Sequence, residues 1–134
     1  MLTEIPYVKN IDNEPRRRWF ADDDFDLIVW YDPDGRIVGF QLCYDKKKDQ
    51  RSFTWKESGT LRHDRIDDGE GNPGRYESSP ILISDDTFDA PRVAERFMAR
   101  GALLDPSIFA IVLQKLKEWR APKPEIRRPR YWRG

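Results

Sequence analysis

The sequence predicts an α+β fold, an antiparallel β-meander of four to five strands with two C-terminal helices packed on one face. Three observations carry that expectation. Residues 25–67 alternate β-branched and aromatic runs with turn residues at hairpin spacing, and residues 89–120 hold two apolar stripes of helical period, each behind an Asp that can cap it. Five Trp, five Tyr and seven Phe supply core-forming groups to a chain that is otherwise 36% charged, with a mean hydropathy of −0.82. A disordered chain of that polarity lacks such aromatics.

At 134 residues the chain is long enough for one domain. The expected division is a domain over 1–120, made of an irregular N-terminal segment (1–24), the meander (about 25–83) and the helices (about 89–120), followed by a flexible basic Pro/Arg-rich tail over 121–134. Within the meander, Phe25 to Asp32 reads as a strand, Asp32-Pro33-Asp34-Gly35 as a turn and Arg36 to Tyr44 as the returning strand. Proline at the second turn position and glycine after it fit a three-residue loop with a left-handed residue. That turn sets Asp32 opposite Arg36, and an unbroken ladder then sets Trp30 opposite Val38, Ile28 opposite Phe40 and Asp26 opposite Leu42. Third and fourth strands follow at about Arg51–Lys56 and Thr60–Asp67, turning through Glu57-Ser58-Gly59.

In this register one face carries Ile28, Phe40, Trp55 and Leu61, then Asp26, Leu42, Phe53 and His63, and is the core face. The other carries Leu27, Gln41, Thr54 and Arg62, then Phe25, Cys43, Ser52 and Asp64. The segment Arg75–Ile83 is interrupted by Pro80, so part of it is expected at a sheet edge or outside the ladder. In the first helix Ala90, Val93, Ala94, Phe97 and Met98 form the stripe, with Asp89 as cap and Gly101 as terminator. In the second, Asp105 caps, Pro106 starts, and Phe109, Val112, Leu113, Leu116 and Trp119 face inward.

The formal charge is zero, but it is unevenly placed. Residues 115–134 hold eight Lys and Arg against Glu118 and Glu125, a net +6, which leaves −6 on residues 1–114. In the tail, Arg127, Arg128 and Arg130 interleave with Tyr131 and Trp132, a pattern that grips phosphates and stacks on bases, or binds an acidic protein patch. No apolar run reaches the roughly 20 residues of a membrane helix, and the first residues lack the pattern of a signal peptide. The expected compartment is therefore the cytoplasm, without membrane contact.

Cys43 and His63 are each the sole residue of their kind, which removes disulfides, Cys-based zinc clusters and two-His metal sites within one chain. His63 is the first candidate for acid/base work because its ordinary pKa lies near neutrality. Set among Phe53 and Leu42, it reads as a packed core residue. With Asp64, Asp67, Glu70 and Asn72 it also offers oxygen and nitrogen donors to a divalent metal, although the spacing is not that of an EF-hand. The expected metal ligands in that reading are His63, Asp67 and Glu70. The run Asp22–Asp24 with Asp26 serves to end a loop and blunt a strand. Trp19 and Phe20 anchor the N-terminal segment, with Arg16, Arg17 and Arg18 toward solvent. Cys43 has no activating base beside it. No nucleophile elbow, Walker A loop or dinucleotide fingerprint is present.

The half-polar sheet face is the expected site. Phe25, Leu27, Val29 and Tyr31 floor a groove, and Gln41, Thr54, Arg62 and Asp64 converge on it. The block Trp19-Phe20, FDLIVWYDPDGRIVGFQLCYDK over Phe25–Lys46 and Phe53-Thr54-Trp55 resembles a group of small bacterial proteins sharing this order of features, over roughly residues 16–119. The resemblance implies a compact bacterial cytosolic domain and carries no activity. The function expected is a non-enzymatic binding or regulatory module with a protein or small-molecule partner and no cofactor, as monomer or homodimer. The alternatives are a metal-assisted hydrolase centred on His63, or a nucleic-acid contact through Arg127, Arg128, Arg130 and Trp132.

Overall fold

A computed structural model describes residues 1–6, 15–47, 49–67, 81–84 and 88–120. Its strands are β1 (Thr3–Glu4), β2 (Arg16–Ala21), β3 (Phe25–Tyr31), β4 (Ile37–Tyr44), β5 (Arg51–Lys56), β6 (Thr60–Asp67) and β7 (Ile81–Ser84), followed by α1 (Ala90–Arg100) and α2 (Pro106–Glu118). The strands form one antiparallel sheet in chain order, an open meander over β1–β6 with the short β7 added beyond β6. The α+β class is as expected, but the sheet is wider than four to five strands. The additions come from residues 1–24, where β1 and β2 replace the irregular segment. In β2 three arginines hide the alternation that would mark a strand. β7 begins directly after Pro80, at the sheet edge.

The β3–β4 turn closes as its residues require. Gly35 takes φ +84°, its amide donates to the Asp32 carbonyl at 3.0 Å, and the Asp32 amide donates to the Arg36 carbonyl at 2.9 Å. The Asp32 carboxylate accepts from the amides of Asp34 and Arg36 at 3.0 and 2.8 Å. Beyond the turn the ladder slips. Tyr31 faces Ile37 but Trp30 faces Gly39, so Val38 is an extra residue. The β5 end takes up its carbonyl through the Glu57 amide at 2.8 Å. A slip of one residue exchanges the two faces of a strand. Val29 therefore lies opposite Phe40, Leu27 opposite Leu42 and Phe25 opposite Tyr44. The expected pairings Trp30–Val38, Ile28–Phe40 and Asp26–Leu42 are corrected, whereas β4–β5–β6 keep the expected register.

The core face is Phe20 from β2, Phe25, Leu27 and Val29 from β3, Phe40, Leu42 and Tyr44 from β4, and Phe53 from β5. Val93, Ala94 and Phe97 of α1 and Ile108, Val112 and Leu116 of α2 cover it. Phe25 meets Phe97 edge-on at 6.4 Å, and Phe97 stacks on Phe109 at 5.6 Å. Asp89 caps α1 through the Arg92 amide at 3.2 Å. Besides Ile28 and Asp26, which the slip moves to the other face, two expected core residues lie outside the core: Met98 is 46% exposed and Leu61 36%. In α2 the buried line runs through Ile108 rather than Leu113. Asp105 makes no side-chain cap bond. Its carboxylate instead accepts from Arg18 at 2.6 Å, while Arg18 also grips Glu4 at 2.6 and 2.9 Å. Arg18 is therefore a joint between β1, β2 and α2, not a solvent-facing charge. The hydrogen bond from Arg18 draws the Glu4 carboxyl below its ordinary range.

At the opposite end of the sheet, α1 is fastened by aspartates. Arg96 donates to Asp24 at 2.6 Å and Asp45 at 2.9 Å, and Arg100 donates to Asp22 at 3.2 Å and Asp23 at 2.9 Å. The Asp22 carboxylate also accepts from the amides of Asp24 and Phe25 at 2.8 and 2.7 Å. Burial opposes its charge, yet these amides and Arg100 together hold its pKa below the ordinary 3.8. Unfolded Asp22 thus binds a proton more readily than folded Asp22, so acid favours unfolding. The stabilisation is complete at neutral pH, above the unfolded value of 3.8, and is lost as pH falls through the folded value. Urea midpoints of wild type and Asp22→Asn are expected to differ at pH 6 and to converge as the solution is acidified below about 3.8.

Gly101 sits at φ −94°, so its role is spatial. A Cβ there meets the Phe109 ring at 2.8 Å and the Phe97 carbonyl at 3.1 Å. Gly101→Ala is expected to cost about 1–3 kcal/mol by overpacking, read as a lowered thermal midpoint.

Candidate functional site

The two faces of the sheet divide the candidate residues cleanly. On the core face His63 is 2% exposed. Its ring lies parallel to Phe88 at 3.9 Å, with Tyr44 at 5.8 Å and Trp119 edge-on at 6.4 Å. Its Nε2 is 2.6 Å from the Tyr44 hydroxyl, in a hydrogen bond. His63 is thus a packed aromatic residue, as its row suggested. Asp64 alternates to the other face, so the two do not meet. The side chain of Asp67 and all of Glu70 and Asn72 lie outside the described residues, as do Arg127, Arg128, Arg130 and Trp132 of the tail. Among the described residues no three His, Cys, Asp or Glu side chains are grouped to hold a metal ion.

The outer face, away from both helices, is read from the pairing. One row is Trp19, Ile28, Gln41, Thr54 and Arg62. On one side of it run Asp26, Cys43, Ser52 and Asp64, and on the other Arg17, Trp30, Gly39, Lys56 and Thr60. Four of the five expected site residues, Gln41, Thr54, Arg62 and Asp64, therefore share this face. The fifth, Tyr31, does not. With Phe25, Leu27 and Val29 it points to the helix side, so the expected groove floor is corrected: the slip at Val38 exchanges those residues for Asp26, Ile28 and Trp30.

The polar groups here are mostly bound to one another. Arg62 holds Asp64 through two bonds of 2.8 and 2.6 Å, and Asp64 is fully buried. The bond from Asp64 raises the Arg62 pKa. Gln41 Nε2 donates to Thr54 Oγ1 at 3.4 Å, and Lys46 donates to Asp26 at 3.0 Å. Burial, reinforced by the charge of Asp26, pushes the Cys43 thiol up to about 12, which leaves it protonated and inert. Two buried groups on this face, Ser52 Oγ and Trp19 Nε1, have no hydrogen-bond partner among the described residues.

One end of the outer face is open. A cleft of about 410 Å³ is lined by Pro15, Trp30, Val38, Gly39, Lys56, Glu57 and Ser58. Gly39 makes it possible. A Cβ there meets the Trp55 carbonyl at 3.0 Å and Trp30 Cε3 at 3.3 Å, so the indole lies against bare backbone. Lys56 Nζ is 5.6 Å from the Trp30 ring centroid. Pro15 also borders a second cleft of about 480 Å³, lined by Arg16, Arg18, Tyr31, Asp32, Pro33 and Gly35. Both volumes fall within the range of small-ligand sites, roughly 300–1,000 Å³. The sequence reading missed Trp30 and Lys56. The signal was Gly39, since a glycine inside a strand marks a bulge or a close approach.

Comparison with protein-family models, curated proteins and solved structures finds no match to this chain. No helix among the described residues is long and apolar enough to cross a membrane.

Ser52 gives a direct check on this face. Its hydroxyl is buried with no partner among the described residues, so removing it relieves a desolvation cost. Ser52→Ala is expected to leave stability unchanged or raise it by about 1 kcal/mol in urea unfolding. A loss of that size shows instead that the hydroxyl is bonded.

Proposed function

We propose that the chain is a small non-catalytic binding module of the bacterial cytoplasm that takes its ligand on the outer face of the sheet. The observation that carries this reading is the Trp30 cleft. An indole bedded on Gly39, apolar walls from Pro15 and Val38, and polar ends at Lys56, Glu57 and Ser58 make an apolar floor with a polar rim. That is the composition of a recognition site. Gln41 and Arg62 continue it along the face. The residues best suited to catalysis support the same reading by where they are spent: His63 is packed beneath Phe88 and Trp119, and Cys43 is a buried thiol.

A fragment screen followed by amide NMR shifts on the full chain tests the location. Neutral, cationic and anionic ring compounds are expected to move the amides of Trp30, Gly39, Gln41, Thr54 and Lys56 together. Shifts confined to the helices or to the surroundings of Arg96 and Arg100 refute the reading.

A further inference from the structure

The charges around the Trp30 cleft narrow the ligand class, an inference that rests on the reading above. Several cations of the sheet and its turns are neutralised within the protein. Arg18 is held by Glu4 and Asp105, Arg36 by Asp32 and Glu57, Lys46 by Asp26 and Arg62 by Asp64. Among the described residues Lys56 and Arg16 form no ion pair, and both stand at the end of the sheet where the two clefts meet at Pro15. Among the described residues that line the Trp30 cleft the one carboxylate, Glu57, is engaged by Arg36 at 2.9 Å. The cleft therefore presents a π face and an uncompensated ammonium 5.6 Å from its centroid.

We infer that the Trp30 cleft binds a free nucleotide, its planar base stacked on the indole and its phosphate paired with Lys56. Stacking on an aromatic side chain tolerates any base, because every base has a π face. The ammonium attracts the phosphate as a point charge, and Ser58 offers a hydroxyl to the sugar. Lys56 is the one cation without an ion pair among the described residues of the cleft, enough to pair with a phosphate but not with the run of phosphates that a strand presents. That balance selects a free nucleotide over a nucleic-acid strand.

The test is titration of the full-length protein with a nucleoside monophosphate, its parent nucleoside, inorganic phosphate and a short oligonucleotide of the same base, followed by tryptophan fluorescence and amide NMR shifts. The monophosphate is expected to quench fluorescence, to shift Trp30, Gly39 and Lys56, and to bind more tightly than either nucleoside or phosphate alone. Trp30→Ala is expected to weaken it at least about tenfold, the size of one lost base stack. Lys56→Gln, an exposed change that leaves the fold intact, is expected to reduce the monophosphate to the affinity of the nucleoside and to remove its salt dependence. Equal binding by wild type and both variants overturns the proposal. So does tighter, Lys56-dependent binding of the oligonucleotide, which assigns the cleft to a strand. If the monophosphate leaves Trp30 and Gly39 unmoved while neutral rings from the fragment screen still shift them, the nucleotide class fails and the binding site stands. If nothing shifts them, both fail.

Discussion

The slip between β3 and β4 at Val38 determines which side chains of β3 enter the core, and through β3 it governs the rest of the molecule. Strand residues alternate between faces, so one inserted residue exchanges the whole set. With it, Phe25, Leu27 and Val29 meet the helices, and β2, paired to β3 without a slip, turns Phe20 inward and Trp19 outward. Without it, Asp26 and Ile28 would lie under Phe97 and Val112, and a carboxylate would enter an aromatic core at a cost of several kcal/mol. The apolar demand of two helices on one face therefore enforces the bulge. Gly39 permits it, because the strand can close against Trp55 only where no Cβ intervenes.

The same displacement builds the candidate site. Exchanging faces brings Trp30 out and lays its ring on Gly39, beside Lys56 from the neighbouring strand. Core packing and surface recognition are thus two sides of one local irregularity. Bulges recur beside binding sites for this reason: they re-aim a side chain without altering the strands on either side.

What was legible in the sequence follows the strength of the local signals. The hairpin at Asp32–Arg36, the β4–β5–β6 register and both helix starts rest on turn, proline and capping residues at a few positions, and each element begins where they place it, although of the two caps only Asp89 makes its side-chain bond. The β3 register was not legible, because it depends on how Val38 and Gly39 are accommodated against β5 and not on the turn before them. β2 was hidden for a related reason. Arg18 occupies a core-side position, yet its guanidinium is matched by Glu4 and Asp105, 14 and 87 residues away in the chain. A charge satisfied by such distant partners reads as polar in sequence and as structural in space. The error at Tyr31 came from the slip, while Gln41, Thr54, Arg62 and Asp64 were placed correctly because their strands lie beyond it.

The Arg18 joint bears on the order in which the chain can assemble. Each strand of the meander pairs with its neighbour across a short stretch of sequence, so the sheet closes at small entropic cost, while the helices must return across the whole meander. Arg18 has its full set of partners only when β1 has zipped onto β2 and Asp105 at the start of α2 has docked against it. One side chain thereby makes the first strand and the last helix mutually dependent. The edge of the sheet that would otherwise fray independently is tied into the same cooperative unit as the helical layer.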